Sequence, residues 1–407
     1  MNPVLPEVSA LLDGAVAARV APAVQACVIH DGAVVHATAH GTLPDGAPVT
    51  NDVRFDVASV SKLVTTVLAA VLAQRRVLDL DAPVGEALPE FTGKDAVTAR
   101  HLLAHTSGLA AWQPLFARSV ADPVAGALFP PAGLEGPRRA AAAERSRALV
   151  LGAVLSAPLA ARTGERVYSD LGFIALGRLL ETVGEASLAE LTERLVLAPL
   201  GLLRTGYVDL AAPDAAARLE GERFVPTGGT RPREPAAGQE GTFDVPPQVP
   251  AVDPGQVDDD NAYALGGIAG HAGIFSTAKD LARLGQGILE ELEGASRLGA
   301  AAALEAFTRP SPSRAGPARG LGFDLPAVAG SSAGTKLGKA GPRGAVGHLG
   351  FTGCSLWIDL DRRISAALLT NRVFFGRRNV DGIQRLRPEF HDRVVEALEG
   401  GAGLARL

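Results

Sequence analysis

The chain reads as an α+β fold: an antiparallel sheet formed from both chain ends, flanked by helices, with a mainly helical segment inserted between them. Three observations carry this expectation. Strand-like runs lie near the N-terminus, others lie near the C-terminus, and the long stretch between them is dominated by helical periodicity. No internal repeat is present. The expected division is a discontinuous sheet domain from 1–58 and 320–407, and a mainly helical domain from 59–319 with a loop or lid insertion at 210–260.

Each element has its own signal. Val8, Leu11, Leu12, Val16 and Val20 recur at helical spacing, which makes the N-terminus an amphipathic surface helix. Val24 to His30 reads as a strand, Asp31-Gly32 as a hairpin turn, and Ala33 to Ala39 as the return strand. Thr98 suits an N-cap for a helix from Ala99 to His105, with Gly108 as its stop. Ala140 to Leu159 and Leu171 to Val183 repeat with helical period. From 210 to 260 Pro, Gly, Glu and Asp dominate and periodicity fades. Order returns with a helix from Ala278 to Leu292, capped by Thr277, whereas 309 to 345 is again rich in Gly, Pro and Ser. Gly344 to Leu349, Cys354 to Leu360 and Ile364 to Thr370 read as strands, with Asp361-Arg362-Arg363 turning between the last two, and Phe390 to Leu398 as a closing helix.

Bulk properties narrow the function classes. With 407 residues, 47% apolar and 20% charged, the composition is globular. A net charge of -5 offers no basic field, so nucleic acid is excluded as an expected partner. No stretch is apolar for long enough to span a bilayer, so no membrane partner is expected. Asp13 and Arg19 interrupt what would be the apolar core of a signal peptide, and a cytoplasmic location is the expectation. Cys27 and Cys354 sit in apolar, strand-like runs and read as buried free thiols.

Three motifs carry chemistry. Ser59-Val60-Ser61-Lys62 follows the strand-like Phe55 to Ala58 and opens a helical run, so a hydroxyl and an amine share one helix face. A neutral lysine can take a serine proton, and a helix N-terminus stabilises an oxyanion. The same tetrapeptide also suits an N-cap serine with a solvated lysine. Tyr168-Ser169-Asp170 stands at the mouth of a helix, where Tyr168 can shuttle a proton, or where Asp170 simply caps the helix. His348-Leu349-Gly350-Phe351-Thr352-Gly353 ends a strand, as a close-approach loop with the Phe351 N–H as an oxyanion donor, or as a plain β-turn.

In combination and order, these motifs resemble the serine β-lactamase and penicillin-binding-protein-like hydrolases, in the branch of class C β-lactamases, esterases and D-aminopeptidases. His101 to Leu109 (HLLAHTSGL) and Val77 to Val84 (VLDLDAPV) are similar to further family stretches. The resemblance implies Ser59 as the acylated nucleophile, Lys62 and Tyr168 as sharers of its proton, and the Ser59 and Phe351 N–H groups as the oxyanion hole. It puts Asp170, His348, Leu349 and Gly350 in substrate-binding positions and implies no metal and no cofactor.

Two departures stand out. Many β-lactamases carry Lys-Thr-Gly where this chain has His348-Leu349-Gly350, so a substrate carboxylate loses a full cation and a hydroxyl. Asp170 replaces the usual Asn, and a carboxylate beside Lys62 would hold the amine protonated. Either Asp170 points elsewhere or Tyr168 is the working base.

Other candidates are weaker. His101 and His105 are four apart, but no Glu follows His101 and no third metal ligand is evident. Gly266 to Gly273 lacks the lysine of a phosphate loop and reads as a segment packed tightly near the site, with His271 a candidate either to line it or to pack beside it. Trp112 suits a pocket wall, and Arg372 either an acidic substrate group or a solvated turn. The expected activity is a metal-independent serine hydrolase that forms an acyl-enzyme on a small-molecule ester or amide. The alternatives are a β-lactamase or D-amino-acid peptidase, or a non-catalytic ligand-binding or assembly module.

Overall fold

Asp31 and Gly32 both adopt positive φ, 49° and 78°, which closes a tight hairpin between β1 (Ala23–His30) and β2 (Ala33–Gly41). The computed structural model describes residues 5–129, 134, 136–212, 222–244 and 255–402. Two short strands, β3 (Phe55–Asp56) and β4 (Gly206–Tyr207), lie between the hairpin and β5 (Ile274–Ser276). The chain then returns as β6 (Ala345–Leu349), β7 (Ser355–Asp359) and β8 (Ile364–Thr370). Strand β8 pairs antiparallel with β1, from Val24 opposite Thr370 to His30 opposite Ile364. The five-stranded order is β2-β1-β8-β7-β6, so both chain ends build one antiparallel sheet, as expected.

Each face of that sheet buries a different helix set. On one side lie α1 (Pro6–Ala17) and the C-terminal helix, with Val8, Leu12, Trp357, Phe390 and Val394 sealed between them and the sheet. On the other side α5 (Ala278–Leu292) packs across β1 and β8 and joins the larger core. In that core lies α2 (Ser61–Gln74), buried at every position from Ser61 to Leu72. A helix with apolar residues on every side lies at the centre of a fold, and its few polar groups there need partners. Helices α3 (Gly136–Ser156) and α4 (Asp170–Gly184) complete the helical part.

A second sheet, ordered β3-β5-β4, escaped the sequence reading. Strands of two or three residues show no alternation to detect. The C-terminal helix, α6 (Asp381–Ala402), begins nine residues before the expected Phe390. Pro388 lies within it and masked its start. The buried stripe Ile383, Leu386, Phe390 and Val394 holds that stretch helical against the sheet.

Of the expected lid at 210–260, residues 213–221 and 245–254 lie outside the described residues. The segment 222–244 has almost no regular structure but is tied down. Phe224 bridges to Arg54, and the buried Arg231 pairs with Asp260 at 2.7 Å. Cys27 and Cys354 are buried free thiols, and burial pushes them up to about 12 and about 11, which makes them unreactive. Among the described residues no helix is long and apolar enough to cross a membrane.

Candidate active site

Ser59 lies in the single turn Ala58–Val60 that leads from β3 into α2, so it stands at the N-terminus of the buried helix. Ala58 takes φ 47°, a left-handed conformation that turns the chain sharply just before the serine. Three residues on, Lys62 lies wholly inside the protein. Its Nζ donates to Ser59 Oγ at 3.0 Å, to Asp170 Oδ1 at 2.7 Å and to the His271 carbonyl at 3.2 Å. A buried ammonium with three acceptors is fully satisfied. Burial opposes its charge, but Asp170 and Tyr168 outweigh burial and hold Lys62 above the ordinary lysine value.

Asp170 thus points into the site, toward Lys62. Ser169, not Asp170, caps α4, since its Oγ accepts the Gly172 N–H at 3.0 Å. The Asp170 carboxylate is left to face Lys62. Tyr168 sits beside them, and its hydroxyl interacts with both Ser59 and Lys62. Burial raises this phenol, Lys62 pulls it down, and the net position is above the ordinary tyrosine value.

The Tyr168 ring is caged. His105 stacks at 4.5 Å, His348 lies at 6.0 Å, and the Arg319 guanidinium sits 5.1 Å from the ring centre. His105 Nδ1 accepts the Ser169 N–H at 2.9 Å, which pins the residue next to Tyr168. The structure gives His105 a packing role, against Tyr168 and Phe173. Its buried ring is a support for the tyrosine.

A cleft of about 160 Å³ opens at Ser59. Of the expected site residues, Ser59, Trp112, Tyr168, Asp170, His271 and Phe351 line it. Lys62 lies just beneath. His348, Leu349 and Gly350 are not among the lining residues. His348 is 2% exposed, its Nδ1 donates to the Leu349 carbonyl at 2.8 Å, and burial brings it down to about 4. It is therefore neutral at pH 7, not the partly charged group its type suggested. Leu349 packs on the core beneath α1 and α6. Gly350 abuts the nucleophile turn, where a Cβ would come within 2.3 Å of the Val57 carbonyl oxygen. Gly350→Ala is expected to cost about 1–3 kcal/mol, read as a lower midpoint in chemical denaturation.

The cleft also holds residues the sequence reading missed: Asp258, Asp259 and Arg377. Arg377 Nη2 pairs with Asp258 Oδ2 at 2.9 Å, so its charge is locally balanced. His271 Nε2 meets Asp259 Oδ1 at 3.0 Å. Burial works against the Asp259 charge, yet His271 and the Ala262 N–H hold this carboxyl well below the usual carboxylate range. The glycine-rich loop packs on α2. Thr65 Oγ1 donates to the Gly270 carbonyl at 2.8 Å, and Ser61 Oγ accepts the Ile274 N–H at 3.1 Å. Arg372 does not reach the cleft. It is buried, bonds the carbonyls of Arg377 and Asn379, and lies 4.6 Å over the Phe351 ring. No group of three or more potential metal ligands occurs among the described residues.

The Beta-lactamase family model matches residues 8–387. Esterase EstB of Burkholderia gladioli is 31% identical over 398 residues, covering 90% of each chain. A putative D-alanyl-D-alanine carboxypeptidase of Salmonella agona is 27% identical over 372 residues, covering 86% of this chain and 79% of the other. Among solved structures, EstCE1, a hydrolase with promiscuous acyltransferase activity, superposes with a TM-score of 0.65 at 23% identity over 94% of this chain and 98% of its own. The octameric penicillin-binding protein homologue from Pyrococcus abyssi gives 0.64 at 20% identity, over 97% and 77%. These two structural likenesses concern the fold. The chain belongs to the β-lactamase family and is a serine hydrolase of that family.

Proposed function

We propose that the protein hydrolyses small carboxylic esters through an acyl-enzyme on Ser59. The observation that carries this reading is the contact set of Lys62 with Ser59 and Asp170, at the floor of a cleft walled by Tyr168. Because Lys62 is held charged, it serves as a fixed cation and not as the base. Tyr168 carries the proton. As Ser59 Oγ bonds to the acyl carbon, its proton passes to the Tyr168 oxygen, and the Tyr168 proton passes to the departing alkoxide. Lys62 steadies the charge that develops on Oγ as its proton leaves, the Ser59 and Phe351 N–H groups take up the charge on the carbonyl oxygen, and collapse of that oxyanion breaks the bond to the alkoxide. Water repeats the sequence in reverse to release the acid. Since the phenol is protonated at rest, this relay needs no free phenolate.

Three features support an ester over a substrate bearing a carboxylate. His348 is neutral and outside the cleft, Leu349 offers no hydroxyl, and Arg377 is already paired with Asp258. The small cleft volume supports a short acyl group, since pockets enclosing drug-sized ligands run to ~300–1,000 Å³.

The test is a substrate panel. p-Nitrophenyl acetate is expected to turn over at least ~10²-fold faster, in kcat/KM, than nitrocefin or a D-alanyl-D-alanine peptide. Efficient cleavage of either anionic substrate would favour the β-lactamase or peptidase alternative. The pH dependence adds a check. A histidine lowered to about 4 stays neutral from pH 8 to 5.5. KM for a carboxylate substrate should therefore not improve as pH falls through that window. An improvement centred near 6.5 would show that His348 gains its charge there.

A further inference from the structure

The donors of the proposed oxyanion hole, the N–H groups of Ser59 and Phe351, lie 292 positions apart in sequence, so something must hold them together. Two buried titratable side chains that do not line the cleft each hold one of these segments.

Asp56 ends β3 and is 2% exposed. Its Oδ1 accepts the Ala58 N–H at 2.8 Å, and its Oδ2 accepts the Asp258 N–H at 2.6 Å. The first bond fixes Ala58 in its left-handed conformation. The Ser59 N–H belongs to the Ala58–Ser59 peptide plane, so its direction follows from that conformation. The Asp56 carbonyl in turn accepts the Thr352 hydroxyl at 2.8 Å and the Cys354 thiol at 3.6 Å, which draws the Phe351 turn against the nucleophile turn.

Arg387 reaches that same turn from α6, on the opposite side of the sheet. Its guanidinium donates to the carbonyls of Gly350, Gly353 (3.2 Å) and Cys354 (2.9 Å). In a planar trans peptide the C=O and the following N–H point in opposite directions. Turning the Gly350 carbonyl toward Arg387 therefore aims the Phe351 N–H away from it. Phe351 itself lines the cleft on the far side. The Arg372 and Arg377 guanidiniums, 4.6 Å and 5.4 Å from its ring centre, hold the ring in place.

We propose that Asp56 and Arg387 are positioning residues for the two oxyanion donors, Asp56 aiming the Ser59 N–H and Arg387 aiming the Phe351 N–H. The inference rests on Ser59 being the acylated nucleophile. Neither residue touches substrate; each acts through a peptide plane.

The test compares Asp56→Asn and Arg387→Lys with wild type in p-nitrophenyl acetate hydrolysis, alongside inhibition by phenylboronic acid, which binds as a tetrahedral serine adduct. Asparagine keeps the size of Asp56 but turns an NH2 toward one N–H donor. Lysine keeps the charge of Arg387 but cannot bridge three carbonyls. In each variant kcat is expected to fall ~10–10²-fold, KM to stay within about threefold, and boronate affinity to fall in step with kcat. Should either variant fail to fold, Thr352→Val removes the hydroxyl bonds to the Asp56 carbonyl and to Cys354 Sγ that join the two turns, and the same split is expected at about 3–10-fold. Folded variants that keep wild-type kcat and boronate affinity would overturn the inference. So would a loss confined to KM. Wild-type turnover that survives Ser59→Ala would instead remove the underlying reading of the nucleophile.

Discussion

Ser59→Ala is expected to abolish ester turnover, lowering kcat by about 10⁴-fold or more, with the fold intact. The size of the effect follows from the role: without Oγ there is no acyl-enzyme, and Lys62 and Tyr168 have no proton to manage. The fold should survive. Ser59 is a half-buried residue whose hydroxyl accepts from Lys62, and that ammonium keeps Asp170 and the His271 carbonyl as partners. Unchanged circular dichroism and thermal midpoint, together with lost turnover, are the expected pair of results. A variant that still turns over ester would exclude Ser59 as nucleophile.

Tyr168→Phe should lower kcat by ~10²–10⁴-fold, the usual range for losing a general acid–base group, with little change in KM. The ring and its cage of His105, His348 and Arg319 remain, so the cleft keeps its shape. Only the hydroxyl between Ser59 and the leaving group is lost. The expected pattern across substrates is specific. Esters with poor leaving alcohols should lose more than p-nitrophenyl esters, because p-nitrophenolate departs with little help from a proton. Equal losses across that series would mean that Tyr168 holds geometry and does not deliver the proton. Steady-state kinetics on acetates of graded alcohol pKa would separate the two.

Much of this site was legible before the fold was known, and the reasons differ by residue. The three-residue spacing of Ser59 and Lys62 is local, and the turn Ala58–Val60 running into α2 brings the two side chains to 3.0 Å. Sheet assembly from the termini was legible because β1, β2, β7 and β8 are long enough to show strand character and tight turns. Thr98 announced its helix and caps it, in a capping box completed by His101.

What escaped was set by distant contacts. Asp56 reaches Asp258 across 202 positions, and Arg387 gathers carbonyls 33 to 37 positions earlier in the chain. Polar side chains that bond to backbone leave no residue-type signature at the other end. The charge of His348 also depends on burial, with smaller opposing influences from Asp324 and Arg319, and the neighbouring residue types show none of these. The orientation of Asp170 turned on whether it or Ser169 caps α4, a competition that both residue types can win. That outcome leaves the Asp170 carboxylate facing Lys62.

The central claim is that an acyl group becomes covalently attached to Ser59. Its most direct measurement is intact-mass analysis of the protein quenched in acid during turnover of p-nitrophenyl acetate, with peptide mapping of any adduct. The expected result is a population heavier by one acetyl group, mapped to the peptide containing Ser59 and absent from Ser59→Ala. Rapid ester hydrolysis in which the acetyl group maps to another residue, and persists in Ser59→Ala, would contradict it.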